Sequence, residues 1–184
     1  GTVEQKTGRF RVSAKMTDTR AQSLILADTR ESDEKGLMEL QRGLTNAIAA
    51  RVRVPLPPGG GDMVMRRRPA NPEAYGIFLK GQYYWYQSEP GSVAKSIALL
   101  EDATRRDPDY SPAWAWLANS YLLEILHDEG RDASLIARGR QAAAKALSLD
   151  DQLSEAHAAV GSYAALDWDW TATQREFRRA VQLN

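Results

Sequence analysis

His127 and His157 are the only imidazoles in this 184-residue chain, and it has no cysteine. Without thiols there is neither a disulfide framework nor a thiolate nucleophile or metal ligand. His127 stands beside Asp128 and Glu129 in what reads as an inserted loop, and His157 falls at a position that reads as helix core. Neither has an ordered third ligand near it in sequence, which a zinc site would need. The expectation is therefore one solvated and one core histidine. Asp167-Trp168-Asp169-Trp170 resembles an acidic metal loop, yet Ca²⁺ takes about six or more oxygens and the loop brings only Asp167 and Asp169. Asp169 stands where a helix should begin, so N-capping explains it, with Thr171-x-x-Gln174 as an alternative capping box one turn later. The two tryptophans are expected to wedge between helices. Gly59-Gly60-Gly61 lacks the Lys-Ser/Thr that would make it a phosphate cradle. No nucleophile–base pair or paired-carboxylate site stands out. The expectation is a protein that is not an enzyme and uses no cofactor or metal.

What remains is organisation, and it repeats. Gly81-x-x-Tyr84, Ala118-x-x-Tyr121 and Gly161-x-x-Ala164 share one register. So do Leu100-x-x-Ala103, Ala143-x-x-Ala146 and Phe177-x-x-Ala180, although relative to the third copy the first needs about three extra residues between its helices and the second about nine, around Ile125–Asp132. This is the mark of paired helices recurring as 71–110, 111–152 and 153–184. Such a pair cannot bury its apolar face alone, so neighbours must stack. Asn71-Pro72 and Ser111-Pro112 each place a capping side chain before a proline at the first helical position, where the missing N–H costs nothing. Ser154 is expected to open the third first helix in the same way, and Asp132 to cap the long helix that contains Ala142-Ala143-Ala144. Ala103, Ala146 and Ala180 are expected at tight helix crossings.

The three copies resemble the tetratricopeptide repeat, a helix–turn–helix unit of about 34 residues. Trp114, Leu117, Ala118, Tyr121, Ala143 and Ala146 carry the likeness in the second copy, with Asp151 in place of the usual proline. His157, Val160, Gly161, Ala164, Phe177 and Ala180 carry it in the third, and Ile77, Gly81, Tyr84, Ser96, Leu100, Ala103 and Pro108 in the first. The resemblance implies a mainly α solenoid whose first helices line a concave, partner-binding surface. By register that surface holds Tyr75, Phe78, Gln82, Trp85 and Tyr86, then Ala115, Asn119, Leu122 and Leu123, then Glu155, Ala158, Ser162 and Leu166. Aromatic side chains are frequent binding anchors. The alternative is that the aromatic cluster packs against the amino-terminal strands or a further part of the protein. A subset of the family grips a terminal carboxylate with Lys, Asn and Arg. The corresponding places here hold Phe78, Gln82, Trp116, Glu155 and Ala159, so that clamp is not expected.

The first part reads differently. Thr2–Lys6, Phe10–Met16 and Ser23–Asp28 read as strands, with Phe10, Val12, Ala14 and Met16 alternating against Arg11, Ser13 and Lys15. Leu37, Leu40, Leu44, Ile48 and Val52 then recur at helical spacing, which predicts an amphipathic helix from Glu34 to Arg53 capped by Ser32 or Asp33. Residues 1–54 are similar to the end of the TolB amino-terminal-like α/β domain, through Arg11–Ala14, Thr17-Asp18, Leu24–Ala27, Leu40-Gln41 and Ile48-Ala49. In that family the domain often precedes tetratricopeptide repeats in multidomain bacterial signalling proteins. The likeness therefore implies a scaffold and sensory segment of such a protein, in the cytoplasm or on the periplasmic side of a membrane-anchored parent. Residues 55–70, with three prolines and a triple glycine, read as a flexible linker, least ordered at Gly59–Asp62.

The chain is formally neutral, but residues 1–70 carry 13 Lys/Arg against 8 Asp/Glu and residues 71–184 carry 11 against 16. Attraction between halves of opposite sign is the simpler reading. A nucleic-acid-associated regulator using Arg66-Arg67-Arg68 is the alternative of another class, and a regulatory region of a kinase or cyclase whose active site lies elsewhere is a third. The expected partner is a protein or peptide. No apolar run is long enough to span a bilayer, and the opening Gly1 is what a segment of a longer protein would show. Phe177, Val181 and Leu183 form an apolar edge at the end of the third copy. Self-association through it is expected unless the stems of Arg175, Arg178 and Arg179 shield it.

Overall fold

Alternation of half-buried Phe10, Val12, Ala14 and Met16 with exposed Arg11 and Lys15 makes a strand with one covered face. The computed structural model of the chain describes residues 2–6, 9–19, 21–33, 36–52, 69–87, 89–127 and 132–184. It is mainly helical and divides into two compact units, Gly1–Arg66 and Arg67–Asn184. In the first, β1 (Thr2–Lys6), β2 (Arg9–Asp18) and β3 (Ser23–Asp33) form an antiparallel meander in the order β1-β2-β3. Val3 pairs with Val12, Val12 in turn with Arg30, and a bulge falls between Met16 and Thr17.

Helix α1 (Leu37–Val52) packs against β3, with Leu40 buried and Leu44 and Ala47 half-buried. Two expectations change here. Strand β3 continues to Asp33 because polar cross-strand pairs extend it. Ser13 Oγ lies 3.0 Å from Thr29 Oγ1, and Arg11 Nε donates to Glu31 at 2.6 Å. The helix cap is neither Ser32 nor Asp33. The first helical bond runs from the Leu40 N–H to the Gly36 carbonyl, and the Asp33 carboxylate closes the preceding turn by accepting the Gly36 N–H at 2.9 Å. The expected linker lies mostly outside the described residues, including Gly59–Asp62 and Arg66–Arg68.

The second unit holds three helix pairs: α2 (Pro72–Trp85) with α3 (Ser92–Arg106), α4 (Ser111–His127) with α5 (Ala133–Leu149), and α6 (Ser154–Leu166) with α7 (Trp170–Leu183). Each helix packs on the next, and the first helices also meet, α2 with α4 and α4 with α6. Small residues permit this. A Cβ on Gly81 would stand 2.7 Å from Leu100, and one on Gly139 would meet the Tyr163 hydroxyl. Ala115, Ala146, Leu153 and Ala156 form a fully buried cluster flanked by Trp114 and Leu147. Ala103 is equally buried, whereas Ala180 is half-buried.

Capping follows the sequence in part. Asn71 accepts from the N–H groups of Glu73 at 2.9 Å and Ala74 at 3.4 Å, Asp132 from Ser134, and Asp169 from Ala172. Ser111 does not cap. Its hydroxyl donates to the Ala146 carbonyl at 2.9 Å, joining the start of α4 to the end of α5. Ser154 does not cap either: Leu153 holds that position, and the Ser154 hydroxyl donates to Glu155.

Candidate functional site

Helix α2 closes with Tyr86 at its C-cap, whose N–H returns to the Gln82 carbonyl. This ending sets Trp85 and Tyr86 side by side, edge to face at 5.0 Å between centroids. Trp116, in the second turn of α4, meets both: 5.3 Å from Trp85 and 5.7 Å from Tyr86, again edge-on. Tyr86 is 67% exposed, and the two indoles are half-buried. The indole N–H of Trp114 donates to the Pro108 carbonyl at 2.8 Å. That of Trp85 is buried with no acceptor among the described residues. The result is an aromatic ledge bridging the first helices of two successive pairs.

Of the residues expected on the concave surface, Gln82, Trp85, Asn119, Leu122, Leu123 and Ser162 are half-buried and Tyr86 is exposed. The Ser162 hydroxyl donates to the Ala158 carbonyl at 2.9 Å. Tyr75 and Phe78 lie in the interior. Their rings are 6.1 Å apart, and Phe78 meets Tyr110 edge-on at 5.2 Å. Burial pushes the hydroxyl pKa values of Tyr75 and Tyr110 upward, which keeps both neutral. Ala115 is wholly buried between pairs. Its neighbour Trp116, which the register places among the positions corresponding to the carboxylate clamp, is the residue that reaches the ledge.

The other chemical candidates have structural partners. His157 is buried, with Nδ1 2.7 Å from Glu176 Oε2 and Nε2 3.0 Å from the Asp151 carbonyl. The ring is thus held between a carboxylate and a backbone carbonyl, both acceptors. Asp167 pairs with Arg140, which depresses its carboxyl pKa. Trp168 and Trp170 contact each other edge-on at 5.7 Å. They do not wedge between helices. At 72% and 60% exposure they lie on the surface, because Trp168 occupies the left-handed turn, φ 62°, that leads into the α7 cap. His127 is exposed at the end of α4. Among the described residues no group of three or more His, Asp or Glu side chains is arranged to hold a metal, and no helix is long and apolar enough to cross a membrane. At the end of the third pair, Phe177 and Val181 are exposed and Leu183 is half-buried.

No protein-family model matches the chain, and no curated protein is significantly similar to it.

Proposed function

We propose that residues 71–184 are three tetratricopeptide-like repeats that bind a protein or peptide along their first helices, within a larger multidomain signalling protein. The observation that carries this reading is the ledge of Trp85, Tyr86 and Trp116. Three large rings meet at the junction of two first helices, one of them mostly exposed, and the same two helices carry the half-buried Gln82, Asn119, Leu122 and Leu123. Rigid aromatic groups bury much area for little lost freedom, so they anchor interfaces. Tyr75 and Phe78, which pack inside with Tyr110, make no contact with the partner. The function is non-catalytic. The amino-terminal meander and helix, similar in sequence to the end of a TolB amino-terminal-like domain, belong to the sensory part of the same protein.

Selection of a random phage-displayed peptide library on immobilised residues 1–184 tests the reading. A family of related peptides should be enriched and lost when Tyr86 and Trp116 are both changed to Ala. Failure to enrich any family, or enrichment indifferent to those two residues, would overturn it.

A further inference from the structure

An open cleft of about 590 Å³ runs along α7, lined by Arg175, Arg178, Arg179 and neutral polar side chains, with His157 of α6 and a single carboxylate, Glu176. Its charge is not balanced. Both Glu176 oxygens are engaged, Oε2 with His157 and Oε1 with the Arg175 Nε at 2.8 Å. Arg179 donates to the uncharged Gln152 side chain at 3.0 Å, and the Asp151 carboxylate accepts from Gln152 instead, at 3.1 Å. Arg178 is exposed and pairs with no described carboxylate. The other described arginines of this unit are matched: Arg105 and Arg106 with Asp102, Arg138 with Glu101, and Arg140 with Asp167. Stacking of helix pairs does not explain the excess. In the register of Ala143 with Phe177, positions 174, 175, 178 and 182 correspond to Arg140, Gln141, Ala144 and Ser148 of α5, which stay exposed although the third pair is docked. The repeat does not demand the charge either, since Ala144 and Lys145 stand in α5, and Glu101 and Asp102 in α3, where α7 has Arg178 and Arg179. Arg175 stands three and four residues from these two, a spacing at which like charges repel.

We infer that this cleft binds a phosphate dianion, held by Arg178 and Arg179 and flanked by Arg175. Two guanidiniums without a carboxylate match the charge of about −2 that a phosphomonoester carries at neutral pH. Their planar forks suit its oxygens, which accept paired N–H bonds. Thr171, Gln174 and Gln182 in the lining add neutral donors and no competing charge. A phosphorylated side chain of another protein and a small free phosphate share this chemistry. A phosphodiester, with one charge per group, matches it less well. The site is distinct from the aromatic ledge, and the inference does not rest on the ledge.

The test is titration of the whole chain at constant ionic strength, followed through the NMR signals of its arginine Nε–H groups. The probes are inorganic phosphate, a capped glycine peptide with one central phosphoserine, and a short thymidine oligonucleotide. The two phosphate probes should shift the Arg178 and Arg179 signals along a saturable curve and leave those of Arg105 and Arg106 in place. Tighter binding of the phosphopeptide would identify a phosphorylated protein as the source, and equal or tighter binding of inorganic phosphate a small phosphate. Arg178→Gln should weaken binding about tenfold, the scale of one hydrogen bond to a charged group. Its melting temperature should not fall, because the side chain is exposed and a like-charge neighbour is removed. No saturable shift, equal shifts at Arg105 and Arg106, affinity unchanged by Arg178→Gln, or tighter binding of the oligonucleotide would overturn the inference.

Discussion

The Nδ1 of His157 lies 2.7 Å from Oε2 of Glu176, and this buried contact ties α6 to α7. Burial alone would raise the Glu176 pKa. Hydrogen bonds from His157 and Arg175, with their charges, outweigh it and hold the carboxyl below the usual glutamate value. A carboxyl lowered in the folded state contributes stability above its unfolded pKa, about 4.3, and loses it as pH falls through the lower folded value. Melting temperature measured from pH 7 to pH 3 should therefore drop more steeply for the parent than for Glu176→Gln. At pH 7 the substitution should itself cost about 3 kcal/mol, the scale for breaking a buried pair. Parallel curves for the two proteins would contradict this.

Asn71 and Ser154 are both polar residues at helix starts, but only Asn71 accepts backbone N–H bonds. Asn71→Ala should cost about 1 kcal/mol, read as a shift in urea midpoint. Ser154→Ala should stay within about 0.5 kcal/mol. Equal losses would show that the cap assignments are wrong.

Ala146 is fully buried between α5 and the start of α6. Ala146→Leu should overpack this crossing and cost about 1–3 kcal/mol. The thermal midpoint should fall by several degrees; an unchanged midpoint would reject the shared register of Ala103, Ala146 and Ala180.

Gly139 lies inside α5, where Ala would ordinarily gain about 1 kcal/mol. Here a Cβ would collide with the Tyr163 hydroxyl, which donates to the Ala118 carbonyl at 2.8 Å. Gly139→Ala should destabilise by about 1–3 kcal/mol, measured by urea unfolding. A stabilised variant would show that Tyr163 does not occupy this space.

The helix pairs were legible because small and apolar residues recur in one register. Gly81, Ala118 and Gly161 mark the first helices, and Leu100, Ala143 and Phe177 the second. The ledge was only half legible. Register expects Trp85, Tyr86 and Ala115 on one first-helix surface; Trp85 and Tyr86 meet in the ledge, whereas Ala115 turns inward to meet Ala146 and Trp116 takes the surface. One residue of helical rotation separates the two outcomes, and periodicity does not resolve it. Tyr75 and Phe78 read as anchors because they share the aromatic chemistry of Trp85. Tyr110, distant in sequence, is what buries them. Strand β3 outran its apolar alternation because polar pairs such as Ser13 with Thr29 hold its far half. Ser111 fits the local pattern of a cap, yet a carbonyl 35 residues away takes its hydroxyl.

The most direct measurement is calorimetric titration of a library-selected peptide into residues 1–184 and into the Trp116→Ala variant. A binding anchor truncated to alanine costs about 2 kcal/mol or more, so affinity should fall at least about tenfold, with the melting temperature of the free protein little changed. Affinity unaltered by Trp116→Ala, and likewise by Tyr86→Ala, would contradict the account.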